Sequence, residues 1–173
     1  NQSETLRSFG LTTDMMKYFG EKTGIEYPYE KYDQVILDDF MFGGMENITL
    51  THNTDRTMYD EFAHPDVSSE GLVAHELIHQ WFGDMITTRN WAHAWLNEGF
   101  ATFMASDWHR TILGDEHYAS SVRRWFRASH RPYSLAGRYH QGEGDKGHGV
   151  YVKGASVLQM LRGMLGEDIF WKG

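Results

Sequence analysis

The chain has 173 residues, with 24 Asp and Glu against 16 Lys and Arg for a formal charge of −8. One domain with a sizeable core fits that length, and 40 % hydrophobic with 14 % aromatic residues excludes a disordered chain. An acidic balance with no basic run longer than Arg123-Arg124 argues against a nucleic-acid partner, and the lack of cysteine leaves His, Asp and Glu as the ligands for any metal.

No stretch approaches the ~18 apolar residues of a membrane span, and the polar start Asn1-Gln2-Ser3-Glu4 does not read as a signal peptide. A soluble chain is expected, with no compartment written into it. The start without Met, and an end at Asp168-Ile169-Phe170-Trp171 that has the apolar residues of another helix, point to a piece of a longer protein.

In chain order, Thr12 to Thr23 reads as a short surface helix, with cap-competent Thr12, Thr13 and Asp14, an apolar face of Met15, Met16 and Phe19, and a stop at Gly24. Tyr32 to Leu37 and Ile48 to Thr51 suit strands, the second a sheet edge. From Ser69 to Phe82, the residues Leu72, Val73, Leu77, Ile78 and Phe82 recur near helical spacing until Gly83. Three more helices are expected at His93 to Thr111, Asp115 to His130 and Val150 to Leu165, with Gly142 to Gly149 as a mobile loop. A small strand-containing N-terminal lobe before a larger helical lobe is an α+β arrangement, whose cleft is the natural place for chemistry.

His75-Glu76-Leu77-Ile78-His79 lies inside the Ser69 to Phe82 helix. Two histidines four residues apart sit about 40° apart in rotation and ~6 Å along the axis, so both imidazoles can reach one ion. Glu76 lies ~60° around from His79, placed to act as a general base on metal-activated water. Composition alone yields such a string about 4 % of the time, and a pair of buried core histidines is the alternative reading. A catalytic zinc usually has three protein ligands. The apolar helix around Trp95-Leu96-Asn97-Glu98-Gly99-Phe100-Ala101 offers Glu98 as the third.

The run His75 to Asp84, followed at that spacing by Trp95 to Ala101, resembles the signature of the aminopeptidase N family of zinc metallopeptidases, the gluzincin family that includes leukotriene hydrolase. Gly43-Gly44-Met45-Glu46-Asn47 resembles that family's exopeptidase motif, and Tyr151-Val152-Lys153-Gly154-Ala155 the segment of its catalytic tyrosine. The resemblance runs from about Tyr27 to the C-terminus and implies a thermolysin-like catalytic domain over residues 1–173, acting on peptides with a free N-terminus.

It implies one zinc ion on His75, His79 and Glu98, with Glu76 as general base and Tyr151 as hydrogen-bond donor to the oxyanion. Glu46 would pair with the substrate's α-ammonium, and Gly43 and Gly44 would lie along bound peptide. Phe42 would line the pocket for the first side chain; Phe40 and Met41 read as core or pocket wall. A zinc-binding domain with little activity without flanking N- and C-terminal domains, and an added epoxide hydrolase activity, are the alternatives.

One departure stands out. Where many relatives carry a carboxylate seven residues after the third ligand, this chain has Ala105, with Asp107 two residues on, so a contact orienting a ligand is missing or moved. The other eight histidines, His52, His64, His93, His109, His117, His130, His140 and His148, read as surface or helix-end residues. Arg123, Arg124, Arg127 and Arg131 form a basic face suited to an acidic surface or a missing domain.

Overall fold

Two short helices, α1 (Gln2–Phe9) and α2 (Thr12–Thr23), lead into the chain. The computed structural model describes residues 2–64, 66–130, 135–136 and 149–173. Arg131, His140, His148 and the expected loop short of Gly149 lie outside the described residues. α1 is held by tertiary contacts, in which Ser69 Oγ donates to the Ser8 carbonyl at 2.9 Å and Arg7 to the Tyr59 carbonyl at 3.1 Å. α2 has the bounds its pattern predicts, burying Met15 and Phe19 and stopping at Gly24.

Three strands form one sheet: β1 (Asp33–Leu37), β2 (Gly44–Met45) and β3 (Leu50–Thr54), in the order β1-β3-β2. β3 runs parallel to β1, from Asp33 opposite Leu50 to Leu37 opposite Thr54. It runs antiparallel to β2, with Gly44 opposite Asn53 and Met45 opposite His52. The expected edge strand is therefore the centre of the sheet. Its inward residues Thr51 and Asn53 are polar yet wholly buried, and that disguises a central strand as an edge. β2 is too short to show a period.

α3 (Glu70–Ile78) ends before the expected Phe82. The amides of Gln80 and Trp81 reach back only three residues, to Leu77 and Ile78, while the carbonyls of His79, Gln80 and Trp81 accept from Asp84, Met85 and Ile86. This tight turn still turns Trp81 into the core, so the apolar period outlasts the helix. The two helices expected next are both present, running together as α4 (Trp95–Ser129) and parted at Gly114, whose non-helical φ of 83° and ψ of 175° suit glycine alone among residues. A π-helical turn, Gly149–Lys153, runs into α5 (Gly154–Leu165), and α6 (Glu167–Phe170) follows.

α3 lies at the middle, with Val73, Ala74, Leu77 and Ile78 buried among Met15 and Phe19 of α2, Phe103, Met104 and Trp108 of α4, and Leu158 of α5. Each large apolar side chain so buried contributes about 1.5–3 kcal/mol. A small sheet beside a mostly helical body is the expected α+β class. Among the described residues no helix is long and apolar enough to cross a membrane.

Candidate metal centre and active site

The central helix carries His75 and Glu76 on its last turns and His79 at its C-cap, while the first turn of α4 brings Glu98 opposite. His75 Nε2 lies 3.1 Å from Glu98 Oε2 and 3.2 Å from His79 Nε2, and His79 Nε2 lies 3.4 Å from Glu98 Oε2. One ligand atom from each of the three lies within 4.8 Å of the others. His79 Nδ1 donates to the Phe82 carbonyl at 2.9 Å. That bond fixes the ring's orientation and directs Nε2 at the cluster, the usual outer support of a metal-binding imidazole. The tight turn after Ile78 supplies this carbonyl, which no side-chain pattern reveals.

Charge at the cluster calls for a cation. Two Nε2 atoms facing each other at 3.2 Å cannot both present lone pairs without a proton or a metal between them. Burial opposes a charge on His79, yet the Glu98 hydrogen bond and carboxylates nearby lift its pKa to about 9. Burial also opposes ionisation of Glu98, but the two imidazoles outweigh it and hold the pKa at about 2. His75 is pushed down, first by burial. Two imidazoles and a carboxylate, borne on rigid elements and converging on one point, fit a divalent ion of the zinc type.

Glu76 stands beside this cluster and is 5 % exposed. Burial, with Glu46 and Glu98 adding to it and His79 opposing, pushes its pKa up to about 8. β2 lies directly on it, since a Cβ at Gly44 would fall on the Glu76 carboxyl. Carboxylate atoms of Glu46 and Glu76 and a nitrogen of His79 also lie within 4.8 Å of one another. Gln80 fixes the Glu46 turn from below: Nε2 donates to the Glu46 carbonyl at 2.9 Å and to Asp84 at 2.8 Å, and Oε1 accepts from the Thr49 amide at 2.9 Å. Gln80 was not singled out by the sequence; its place directly after His79, wholly buried, is the signal that could have found it. Burial and Glu46 push Asp84 up to about 7.

Tyr151, in the π turn, stacks on His75 with ring centroids 5.8 Å apart and lies beside Glu98. Burial, then Glu98, pushes its pKa far above the usual phenol value, so the phenol is a proton-bearing donor. Gly43 packs near Leu72, and its carbonyl accepts from the Thr54 amide at 2.9 Å. Phe42 is 57 % exposed and meets Phe40 edge-on at 5.8 Å. Met41 is 83 % exposed and belongs to no core. Ala105 is buried in the apolar cluster, and Asp107 is engaged elsewhere, by Tyr18 and Arg162. His109 is neither surface nor helix end: it is half-buried within α4, edge-on to His117 and under Gly71.

A His-Glu-x-x-His element answered by a carboxylate from the next helix is a metallohydrolase donor set. Residues 7–173 match the Peptidase family M1 domain, starting earlier than the Tyr27 from which the resemblance runs, and the chain belongs to that family. It is 34 % identical over 183 residues to Aminopeptidase 2 of Candida albicans, covering 96 % of this chain and 20 % of that protein. It is 35 % identical over 181 residues to Aminopeptidase N of Rattus norvegicus, covering 94 % of this chain and 19 % of that protein. The M1 zinc metallopeptidase from Deinococcus radiodurans superposes with a TM-score of 0.76 at 29 % identity, over 94 % of this chain and 35 % of that one. A two-domain M1 zinc metallopeptidase variant bound to L-tryptophan superposes at 0.74 with the same identity, over 94 % and 34 %. The chain thus spans about a fifth of the length of these curated relatives.

Proposed function

We propose that this chain is the catalytic domain, residues 1–173, of a longer zinc aminopeptidase that hydrolyses the first peptide bond of peptides with a free N-terminus. The observation that carries it is the convergence of His75, His79 and Glu98 on one point, with the Glu76 carboxyl alongside. His75 Nε2, His79 Nε2 and a Glu98 carboxylate oxygen would hold the zinc. When bound, the ion lowers the pKa of water and polarises the scissile carbonyl.

The rest falls to the chain's own groups. Ionised Glu76 accepts a proton from the attacking water at a carboxylate oxygen and passes it to the leaving amine. The Tyr151 hydroxyl donates to the oxygen of the tetrahedral species, where charge appears only in the transition state. The Glu46 carboxylate pairs with the α-ammonium and so places the first peptide bond, not a later one, beside Glu76. Gly43 and Gly44 leave backbone open along the peptide, and Phe42 lines the wall for an apolar first side chain.

The test is Glu76→Gln with zinc loaded: release of the first residue from aminoacyl amides should fall by about 10²–10⁴ with zinc content unchanged. Normal turnover would overturn the mechanism. Cleavage of an N-acetylated peptide as fast as the free-amine form would overturn the role of Glu46.

A further inference from the structure

Gly99 follows Glu98 on α4, Gly154 opens α5 three residues after Tyr151, and the two glycines touch. A Cβ at Gly99 would stand 2.8 Å from the Gly154 Cα and 2.9 Å from its carbonyl carbon. A Cβ at Gly154 would stand 2.8 Å from the Gly99 Cα and 3.1 Å from the Trp95 carbonyl oxygen. All these neighbours are backbone atoms of two helices that are buried where they cross, so no flexible side chain can give way. Carbon atoms in contact sit ~3.5–4.0 Å apart, so one methyl group at either position would part the helices by roughly 1 Å.

Which end would move follows from the other contacts of α5. Near its far end, Arg162 donates to Asp107 of α4 at 2.8 Å, with both side chains buried. With that end pinned, a wedge at the glycine contact tilts α5 at its beginning, where the π turn holds Tyr151 against His75 and Glu98. The zinc ligands sit on α3 and α4 and would keep their mutual spacing. Gly163, farther along α5, faces nothing within 4 Å, so close approach is a property of this crossing and not of glycine in α5.

We propose that the Gly99–Gly154 contact is a positioning device that sets the distance between the Tyr151 hydroxyl and the reacting carbonyl. It rests on the reading of Tyr151 under the proposed function. The glycines touch neither substrate nor metal and act through Tyr151. A misplacement of 1 Å in such a group can cost ~10²-fold in rate.

The experiment measures kcat, KM, zinc content, thermal midpoint and affinity for a phosphinic peptide mimic of the tetrahedral species. It uses zinc-loaded Gly154→Ala, Gly99→Ala, Tyr151→Phe, the Gly154→Ala/Tyr151→Phe double variant and Gly163→Ala. Each glycine variant at the crossing should lose roughly 10–100-fold in kcat and bind the mimic more weakly, with KM and zinc content close to wild type. In the Tyr151→Phe background, Gly154→Ala should cost little more, because the group it displaces is already gone. Gly163→Ala should match wild type.

Wild-type kcat and mimic affinity in Gly154→Ala overturn the proposal. So do additive losses in the double variant, which would mean the contact acts by another route. Failure of both crossing variants to fold while Gly163→Ala folds also overturns it, since the contact would then serve stability alone. Wild-type turnover in Tyr151→Phe instead strikes the reading of Tyr151 itself.

Discussion

α4 carries two inward carboxylates, part-buried Glu98 and buried Asp107, and their surroundings are opposites. Asp107 is met by the Tyr18 hydroxyl at 2.5 Å, Arg162 at 2.8 Å and the Lys22 ammonium at 3.6 Å. Each is a donor, two are cations, and Arg162 continues to Tyr118 and Glu167, so the charge is closed within the protein. Glu98 faces two imidazole nitrogens that converge with it on one point, with Glu76 nearby. A charge answered by fixed guanidinium and ammonium groups needs nothing more; one answered by two imidazoles, which can give up their protons, can exchange them for a metal ion. That difference makes Asp107 an anchor of the fold and supports the proposed role of Glu98 as a zinc ligand.

The sharpest way to break the comparison is to remove each carboxylate. Glu98→Ala should take bound zinc from about one per chain to nearly none, measured by elemental analysis after dialysis. Asp107→Asn should keep its zinc and lose stability. Zinc lost from a folded Asp107→Asn would reverse the assignment. Next in size, Arg162→Met takes from buried Asp107 its one buried cation and leaves it the Tyr18 hydroxyl and the more distant Lys22, which should cost about 3–5 kcal/mol. At roughly 2–4 °C per kcal/mol, the thermal midpoint should drop by roughly 6–20 °C. Adding Asp107→Leu should recover much of that loss, because no lone charge remains. An unchanged midpoint in Arg162→Met would deny that the pair is an anchor.

Geometry that depends on spacing along one helix is legible in the sequence. His75 and His79 share a face because they are four apart, and Glu98 lies on a helix too apolar for a surface carboxylate. α2 was legible for the same reason, since its apolar face and its stop at Gly24 are local. What escaped depends on partners distant in sequence. α1 is fixed by Tyr59 and Ser69, and β3 is central because its polar Thr51 and Asn53 are covered. The Phe82 carbonyl that orients His79 is a backbone atom with no side-chain signature. Asp107 has the right residue type near the right spacing, yet Tyr18 and Arg162 claim it from α2 and α5.

Strain sits on the side of the molecule proposed to work. Thr49, β-branched, holds a φ of 63°, a conformation that costs such a residue of order 1–3 kcal/mol. Its amide is gripped by Gln80 and its carbonyl accepts from the Asp33 amide at 2.9 Å. Both bonds are made by backbone and survive a change of side chain. Asn tolerates this conformation, so Thr49→Asn should recover about 1 kcal/mol and raise the midpoint by about 2–4 °C. A lower midpoint would show that the Thr49 side chain contributes more than its strain costs.

The smallest effect belongs to the rim of the ion-paired end, and it carries a pH signature. Glu167 is half-exposed, with burial raising its pKa, but Arg162 and the Trp171 indole outweigh it and hold the value at about 2 against an ordinary 4.5. A carboxylate that binds its proton less readily when folded stabilises the fold above its unfolded pKa, and the benefit disappears as pH falls through the folded value. Water screens so exposed a group, which limits its contribution to about 0.2–1 kcal/mol. The difference in midpoint between wild type and Glu167→Gln should therefore be constant above about pH 5.5, shrink as pH falls from 4.5 toward 2, and leave zinc content untouched. A difference that grows on acidification would mean that Arg162 is satisfied by Asp107 and Tyr118 alone, and that Glu167 lies outside the closed network.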